Sequence, residues 1–597
     1  METESILYSL VPHDLGGHRV RVTLTVARPD PNGQVLSLPA WIPGSYLIRD
    51  FARQVETIYA RSGGRDILLR KIDNHSWQCT PTQGALTVEY VVYAWDLSVR
   101  GAHVDETHAF FNGTSVFLAV RGQEDQPCHV LLAAPEGKEH WTVHTSLPEA
   151  KGHPMAAKRH GFGMYRAPNY DALIDHPVEM GTPTVVSFEA CGALHEMVFT
   201  GVIPELDVKR TADDVRKICA SQIEFFEPET HRAPFLDSSD RYVFMTMVTG
   251  DGYGGLEHRA STALMCSRSD LPAIGRQDTG EGYTNFLGLV SHEYFHTWNV
   301  KRVKPARFAP YDLTREAHTE LLWVFEGFTS YYDEIFLLRS GVIDEATFLR
   351  RLARTISMVQ RGAGRLKQSV AESSFDAWTR YYKQDENSPN ALVSYYTKGS
   401  LVAAGLDLAI RAATSQERSL DDVMRLMWDR HGRDFYTEGT AGVGEDDMPS
   451  LILEATGFDA TEFLTRYAYG REDVPLEDLL RPQGITLSWK PAKDDAGLGA
   501  RLRNASGFCS IATIYEGGAA HRAGLSAGDL IVAIGGLRVQ DEKSASTLLS
   551  RWQPGATVEV HVFRRDELRM FTLTMAAPEN SECELRRAEA TQEAAYA

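Results

Sequence analysis

The stretch Ser291-His292-Glu293-Tyr294-Phe295-His296-Thr297-Trp298-Asn299 restricts the fold more than any other part of this 597-residue chain. It carries one HExxH. On a helix, residues four apart share a face, so His292 and His296 can present two imidazoles to one ion. Glu293, one step round, then stands beside that ion as a general base for water without ligating it. The pattern demands a helix here and a second element that brings a third ligand while leaving one position open. The bland alternative is an amphipathic helix with two solvated or core histidines. The decision rests on whether the chain also supplies a third ligand, an oxyanion stabiliser and a substrate anchor.

Three segments offer these parts. Glu326 lies in Leu322-Trp323-Val324-Phe325-Glu326-Gly327-Phe328-Thr329-Ser330-Tyr331-Tyr332, where a carboxylate amid apolar residues needs a positive partner, unless it sits on the one wet face of its helix. Tyr395-Tyr396-Thr397-Lys398-Gly399 offers a phenol to an oxyanion, although a tyrosine on an apolar helix is as readily core. Gly254-Gly255-Leu256-Glu257-His258 follows a strand and places a carboxylate at a glycine-permitted close approach, suited to a substrate ammonium group or to a solvated turn.

The surrounding chain changes grammar several times. Up to about residue 180 it reads as β, with Val20, Val22, Leu24 and Val26 on one face of a strand and Leu86, Val88, Tyr90 and Val92 on one face of another. Trp41-Ile42-Pro43-Gly44-Ser45-Tyr46 reads as core aromatics round a tight turn. His103, Asp105 and His108 lack helical or hairpin context and are read as structural or rim residues. A helix is expected from about Ala212 to Phe226, opened by Thr211, and a buried strand from Arg241 to Thr249. From about 285 to 470 the period is helical, with runs over 321–338, 346–360, 395–412 and 420–430 and a polar excursion over 361–388. Near 480 short strands, Gly-rich turns and one helix (about Ser544 to Arg551) form a compact β module, and the last residues are charged and Ala-rich. This divides the chain into a β-rich domain over 1–180, a domain over 181–475 that carries the HExxH, a compact β module over 480–577 and a flexible tail over 578–597.

The net charge of -19 argues against nucleic acid or an anionic membrane as partner, and no 18-residue apolar run suggests a membrane span. The seven cysteines are scattered, odd in number and without CxxC, as in reduced, cytoplasmic proteins. The acidic start lacks a signal-peptide pattern, so a cytoplasmic location is the expectation.

Taken together, HEYFHTWN, the downstream EGFTSYY, the upstream Gly-Gly-Leu-Glu-His and the later Tyr-x-Lys-Gly resemble the M61 glycyl aminopeptidases, gluzincin metallopeptidases. Trp-Ile-Pro-Gly-Ser-Tyr and the C-terminal module are also similar to that family, so the resemblance covers nearly the whole chain. It implies an α+β protein with an N-terminal β domain, a mostly helical thermolysin-like catalytic domain and a C-terminal PDZ domain. It implies one Zn²⁺ held by His292, His296 and Glu326, with Glu293 as general base, Tyr396 at the oxyanion, and Glu257, with Gly254 and Gly255, at the substrate's free N-terminus. Small first residues, Gly or Ala, are the implied preference. The Gly497-Leu498-Gly499-Ala500 loop matches the place where a PDZ module receives a peptide C-terminus. Two positions depart from related motifs. His258 stands where M1 peptidases carry Asn, and Ser330 stands where an acid often orients a ligand histidine, with Asp333 one turn later. A PDZ-guided endopeptidase and a non-catalytic peptide-binding scaffold are the competing readings. The sequence does not give the oligomeric state.

Overall fold

In the computed structural model, residues 5–276, 280–492, 497–505 and 507–588 are described. They form two compact units, one comprising 1–317, 332–343 and 425–444, the other 318–331, 344–424 and 445–597.

The first unit begins with the β-rich region expected from alternation. A seven-stranded sheet runs in the order Gly163–Ala167, Cys128–Leu132, Ile6–Asp14, Arg19–Val26, Leu86–Tyr93, Val55–Ser62, Arg65–Ile67. Its inward face carries Tyr8, Leu10, Val20, Val22, Leu24, Val26, Leu86 and Val88, all fully buried, so the period-2 pattern is the core pattern. Two smaller four-stranded sheets flank it, and one contains the hairpin Ala102–Val104/His108–Phe111. His103 and His108 thus do have hairpin context. Its turn, Asp105-Glu106-Thr107, is polar and lacks the Gly that signals most short hairpins in sequence.

A further sheet of this unit has five strands in the order Thr184–Ala190, Ala193–Thr200, Arg241–Thr249, Ser261–Ser267, Gly254–Glu257. Arg241–Thr249 is central, parallel to both neighbours and almost wholly buried, which explains its unbroken apolar run. Gly254–Glu257 turns back antiparallel to Ser261–Ser267 and forms the sheet edge. Two helices, Val208–Phe226 and Glu281–Phe295, pack together; Gln222 Nε2 donates to Ser291 O and Oγ, both at 3.0 Å. The first helix starts a turn earlier than expected, because Asp207 rather than Thr211 caps it by accepting from Arg210 N.

The second unit is helical, then β. Its main helices are Glu345–Arg361, capped by Asp344, and Thr397–Ala413. The 361–388 excursion contains three short helical turns, at 363–366, 370–375 and 381–383. The apolar run after Leu321 opens with a π turn, Trp323–Gly327, and continues as the helix Phe328–Arg339. A π turn of the first unit, Trp428–Gly432, ends the Leu420–Met427 helix earlier than expected. The C-terminal module has five principal strands in the order Ala500–Ala505, Phe508–Ile514, Leu530–Ile534, Thr557–Arg564, Glu567–Thr574. Its helix Glu542–Leu549 is capped by Asp541, which shifts it two residues earlier than the sequence reading.

The expected flexible tail is corrected. Glu582–Arg587 is a strand paired antiparallel with Ile485–Lys490, outside the five-stranded sheet of the C-terminal module. Alternation explains it: Cys583 and Leu585 face inward onto Leu349, Ala353 and Ile356, while Cys583 N donates to Ser357 Oγ at 2.8 Å. Residues 589–597 of that tail lie outside the described residues. Leu585→Ala should therefore lower stability by about 2–3 kcal/mol, read as a reduced midpoint in chemical denaturation. A free tail would show no change.

Candidate active site

The HExxH lies at the end of the helix Glu281–Phe295, with His296 as its C-cap residue. His292 Nδ1 faces Asp333 Oδ2 at 2.8 Å, and His296 Nδ1 faces Asn299 O at 2.7 Å. A carboxylate and a carbonyl only accept, so each Nδ1 carries the hydrogen and, in a neutral ring, each Nε2 presents a lone pair. The two Nε2 atoms converge at 3.0 Å. Two imidazoles on one tetrahedral zinc, with Zn–N bonds of about 2.0–2.1 Å, place their nitrogens about 3.3 Å apart. The pair therefore fits a metal ion, and its outer hydrogen bonds are those that orient ligand histidines. Asp333 fills the role that Ser330 left open.

Glu293 is buried and points at the edge strand. A Cβ on Gly255 would run into Glu293 Oε1, so the close approach expected from the Gly-Gly pair is a steric requirement. Glu257, two residues on, is buried on the same strand. Ligand-type atoms of Glu257, Glu293 and His296 all lie within 4.8 Å of one another. Two ionised carboxylates that close repel, a repulsion relieved by a proton on one of them or by positive charge nearby.

Paired charges are built in next to the end of the edge strand, and sequence reasoning missed them. Asp175 accepts from His258 Nδ1 at 3.0 Å, Arg259 Nε at 2.9 Å and Lys301 Nζ at 2.8 Å. Burial alone would raise the Asp175 pKa, but Lys301, His258 and Arg259 outweigh it and hold it well below the usual carboxylate range. Arg302 pairs with Asp237 at 2.6 Å, and Arg259 lies over the Tyr436 ring at 4.0 Å. Lys304, enclosed by Tyr311, Phe435 and Tyr436, is pushed down to about 7, by burial first and then by the Lys301 charge. His258 braces the strand end through Asp175.

The Trp41–Tyr46 turn was also read as core alone. Trp41 Nε1 donates to Asp312 O at 2.9 Å, and Ile42 bridges Ser45. Gly44, at φ 90°, lies against Glu257, and a Cβ there would run into both carboxylate oxygens. Only glycine satisfies the positive φ and the contact together. No local signal marks this, because Gly44 and Glu257 are 213 positions apart.

In the second unit, Glu326 is 2% exposed and sits in the π turn Trp323–Gly327. Such turns re-aim one side chain and recur at functional sites. A Cβ on Gly327 would meet Gly399 Cα at 2.7 Å, so the Glu-Gly and Lys-Gly motifs are two halves of one close packing. Tyr395 is buried beside Tyr381, and both lie within the field of the Glu326 carboxylate. Tyr396, half-buried at the N-cap of Thr397–Ala413, has its hydroxyl 3.5 Å from that of Tyr382. Glu326 also lies two turns before Asp333 along the continuous helical run Trp323–Arg339. In the C-terminal module, Gly497 and Gly499 adopt φ 71° and 66°, Leu498 is buried, and Ala500 opens the strand next to the helix Glu542–Leu549.

Fold and site together define a metallopeptidase of the aminopeptidase type. Residues 7–182 match the Peptidase M61 N-terminal domain, residues 285–402 the M61 glycyl aminopeptidase and residues 496–575 a PDZ domain. A solved structure described as an aminopeptidase N family protein from Idiomarina loihiensis is 42% identical over 98% of each chain, with a TM-score of 0.92. The chain belongs to the M61 peptidase family. An M1 zinc metallopeptidase from Deinococcus radiodurans is 15% identical over 79% of this chain and 95% of its own, at a TM-score of 0.46, too slight a likeness to bear on function. No curated protein matches the chain.

Asp175→Asn should leave Lys301 and Arg259 without their shared counter-charge and cost about 3–5 kcal/mol. Because its folded pKa is depressed, Asp175 contributes stability that is full above about pH 4 and is lost as pH falls through the folded value. The gap between wild type and variant in denaturation should thus be constant near neutrality and narrow in acid.

Proposed function

We propose that this chain is a zinc-dependent aminopeptidase that removes small N-terminal residues, Gly or Ala, from peptides. The observation that carries the reading is the convergence of two Nε2 lone pairs, each fixed by an acceptor at Nδ1, beside a buried carboxylate at a sheet edge. His292, His296 and Glu326 would hold one zinc ion, a two-imidazole, one-carboxylate set that suits this metal. Bound there, zinc makes water nucleophilic near neutral pH and polarises the scissile carbonyl.

The chain's own groups do the rest. Glu293 takes the water's proton and delivers it to the leaving amine, for which its burial beside Gly255 keeps it in place. Tyr396 donates its phenolic hydrogen to the developing oxyanion. The edge strand Gly254–Glu257 offers its backbone to an extended peptide, and Glu257 pairs with the α-ammonium group. Gly44 lies directly against Glu257, which favours an exopeptidase over an enzyme that admits chain on both sides. The description of the matching family as glycyl aminopeptidase supports small first residues. The C-terminal module would receive a peptide carboxylate at Gly497–Ala500.

Peptides with free Gly or Ala termini should be cleaved and their N-acetylated forms not; equal cleavage of both would sink the exopeptidase reading. Glu293→Gln should lower kcat by about 10²–10⁴ while zinc content is unchanged. Asp333→Ala should weaken zinc binding about 10–100-fold, measured by competition with a chelator. Gly44→Ala, by displacing Glu257, should lower kcat/KM for free-amine peptides by up to about 10²-fold.

A further inference from the structure

Among the described residues, two groups with metal-ligand chemistry lie outside the HExxH region: His144, His160 and Glu196, and His103, Asp105 and His108. The first is an ordinary ion-pair cluster. Its Glu196 accepts from His160 at 3.1 Å, lies 3.5 Å from Arg159 and is held down further by Arg241, so positive charge already fills the place of a cation.

The second group has no such charge. The hydrogen-bonding and ion-pair partners of the Asp105 carboxylate are its own turn and the two imidazoles. Oδ1 accepts from Thr107 N at 2.7 Å, Thr107 Oγ1 at 2.6 Å and His108 N at 3.1 Å. Oδ2 lies 3.2 Å from His103 Nε2, and Oδ1 lies 3.6 Å from His108 Nδ1. The hairpin Ala102–Val104/His108–Phe111 sets the two histidines on adjacent strands with the acid in the turn between. Trp95 stacks on His103 at 4.6 Å and on His18 at 3.6 Å, which locks the rings. The ring centroids of His103 and His108 are 5.0 Å apart, close to the 4.6 Å between His292 and His296.

The protonation states suit a cation. Burial pushes His108 down to about 4, and the hydrogen bonds of its turn hold Asp105, despite burial, far below the usual carboxylate range. At neutral pH His108 is then an uncharged imidazole beside an ionised carboxylate. The nitrogens that face the acid and would meet an ion are His103 Nε2 and His108 Nδ1, the latter also 3.1 Å from Thr107 Oγ1, while the far nitrogens, His103 Nδ1 and His108 Nε2, have no partner. Both histidines line a cavity whose wall also carries Glu179, with Met245, Met247 and Leu264 from the five-stranded sheet. Burial pushes Glu179 well up, so its carboxyl is neutral until a positive charge arrives nearby. A cation among the three donors would acidify both far N–H groups and favour Glu179 as the carboxylate that answers them.

We propose that His103, Asp105 and His108 bind one divalent transition-metal ion, zinc by its donor chemistry, separate from the HExxH site. The ion ties the hairpin of the β-rich region where it packs behind the edge strand.

The test is metal content of the full chain after equilibration with zinc and dialysis. Wild type should retain about two equivalents and His292→Ala/His296→Ala about one. Adding His103→Gln and His108→Gln should remove the remaining ion. Cobalt substituted into the His292→Ala/His296→Ala variant should give X-ray absorption typical of two imidazoles with carboxylate, a readout that needs no change in the hairpin. An ion-free His292→Ala/His296→Ala variant, or an all-oxygen environment for its ion, would overturn the proposal. A single equivalent in wild type that survives loss of His292 and His296 would uphold it and instead defeat the assignment of zinc to the HExxH.

Discussion

The electrostatics of two buried carboxylates govern the arrangement of this protein. Glu257 and Glu293 stand within reach of each other and of His296, in a place where water cannot screen them. Such a pair is stabilised when one member holds a proton or when positive charge is supplied nearby. Next to the end of the edge strand Arg259, Lys301 and Arg302 are paired with Asp171, Asp175 and Asp237, and burial together with the Lys301 charge lowers Lys304 to about 7. In the proposed function positive charge comes from a metal ion beside Glu293 and an ammonium group at Glu257. The site is then most comfortable when loaded. Asp175, from the far end of the β-rich region, belongs to the paired cluster. It makes that region a contributor to the site as well as a scaffold beside it.

The second constraint is steric. Charges can be held this tightly only where the backbone comes closer than a side chain allows, and glycine marks each such place. Gly255 admits Glu293 under the strand, Gly44 admits Glu257 under the turn, and Gly327 with Gly399 lets the Glu326 turn meet the start of the Tyr396 helix. The motif glycines are therefore the steric half of the same device whose electrostatic half is the acids beside them.

What was legible in the sequence follows from the range over which each interaction acts. HExxH could be read because helix period alone places His292, Glu293 and His296. The β-rich, helical and PDZ-like succession could be read because burial alternates with the period of each element. Asp333 was noted one turn after Ser330 but could not be assigned, since its contact with His292 joins residues 41 positions apart. Gly44 and Asp175 act across long separations in the chain and leave no local trace. The strand Glu582–Arg587 was misread for a different reason. Charge and alanine content suggested a frayed end, although Glu-Cys-Glu-Leu alternates as a half-buried strand must.

The histidine hairpin shows how context changes the weight of the same residues. By spacing alone, His103 and His108 are an unremarkable pair, because five positions fit neither one helix face nor one strand face. Strand pairing removes that objection: neighbours on adjacent strands come together whatever their separation along the chain. The polar turn then supplies the third donor from the residue that also shapes it. A local rule for metal ligands finds motifs written into one element, as in the HExxH. It passes over sites whose donors meet only when two elements pair.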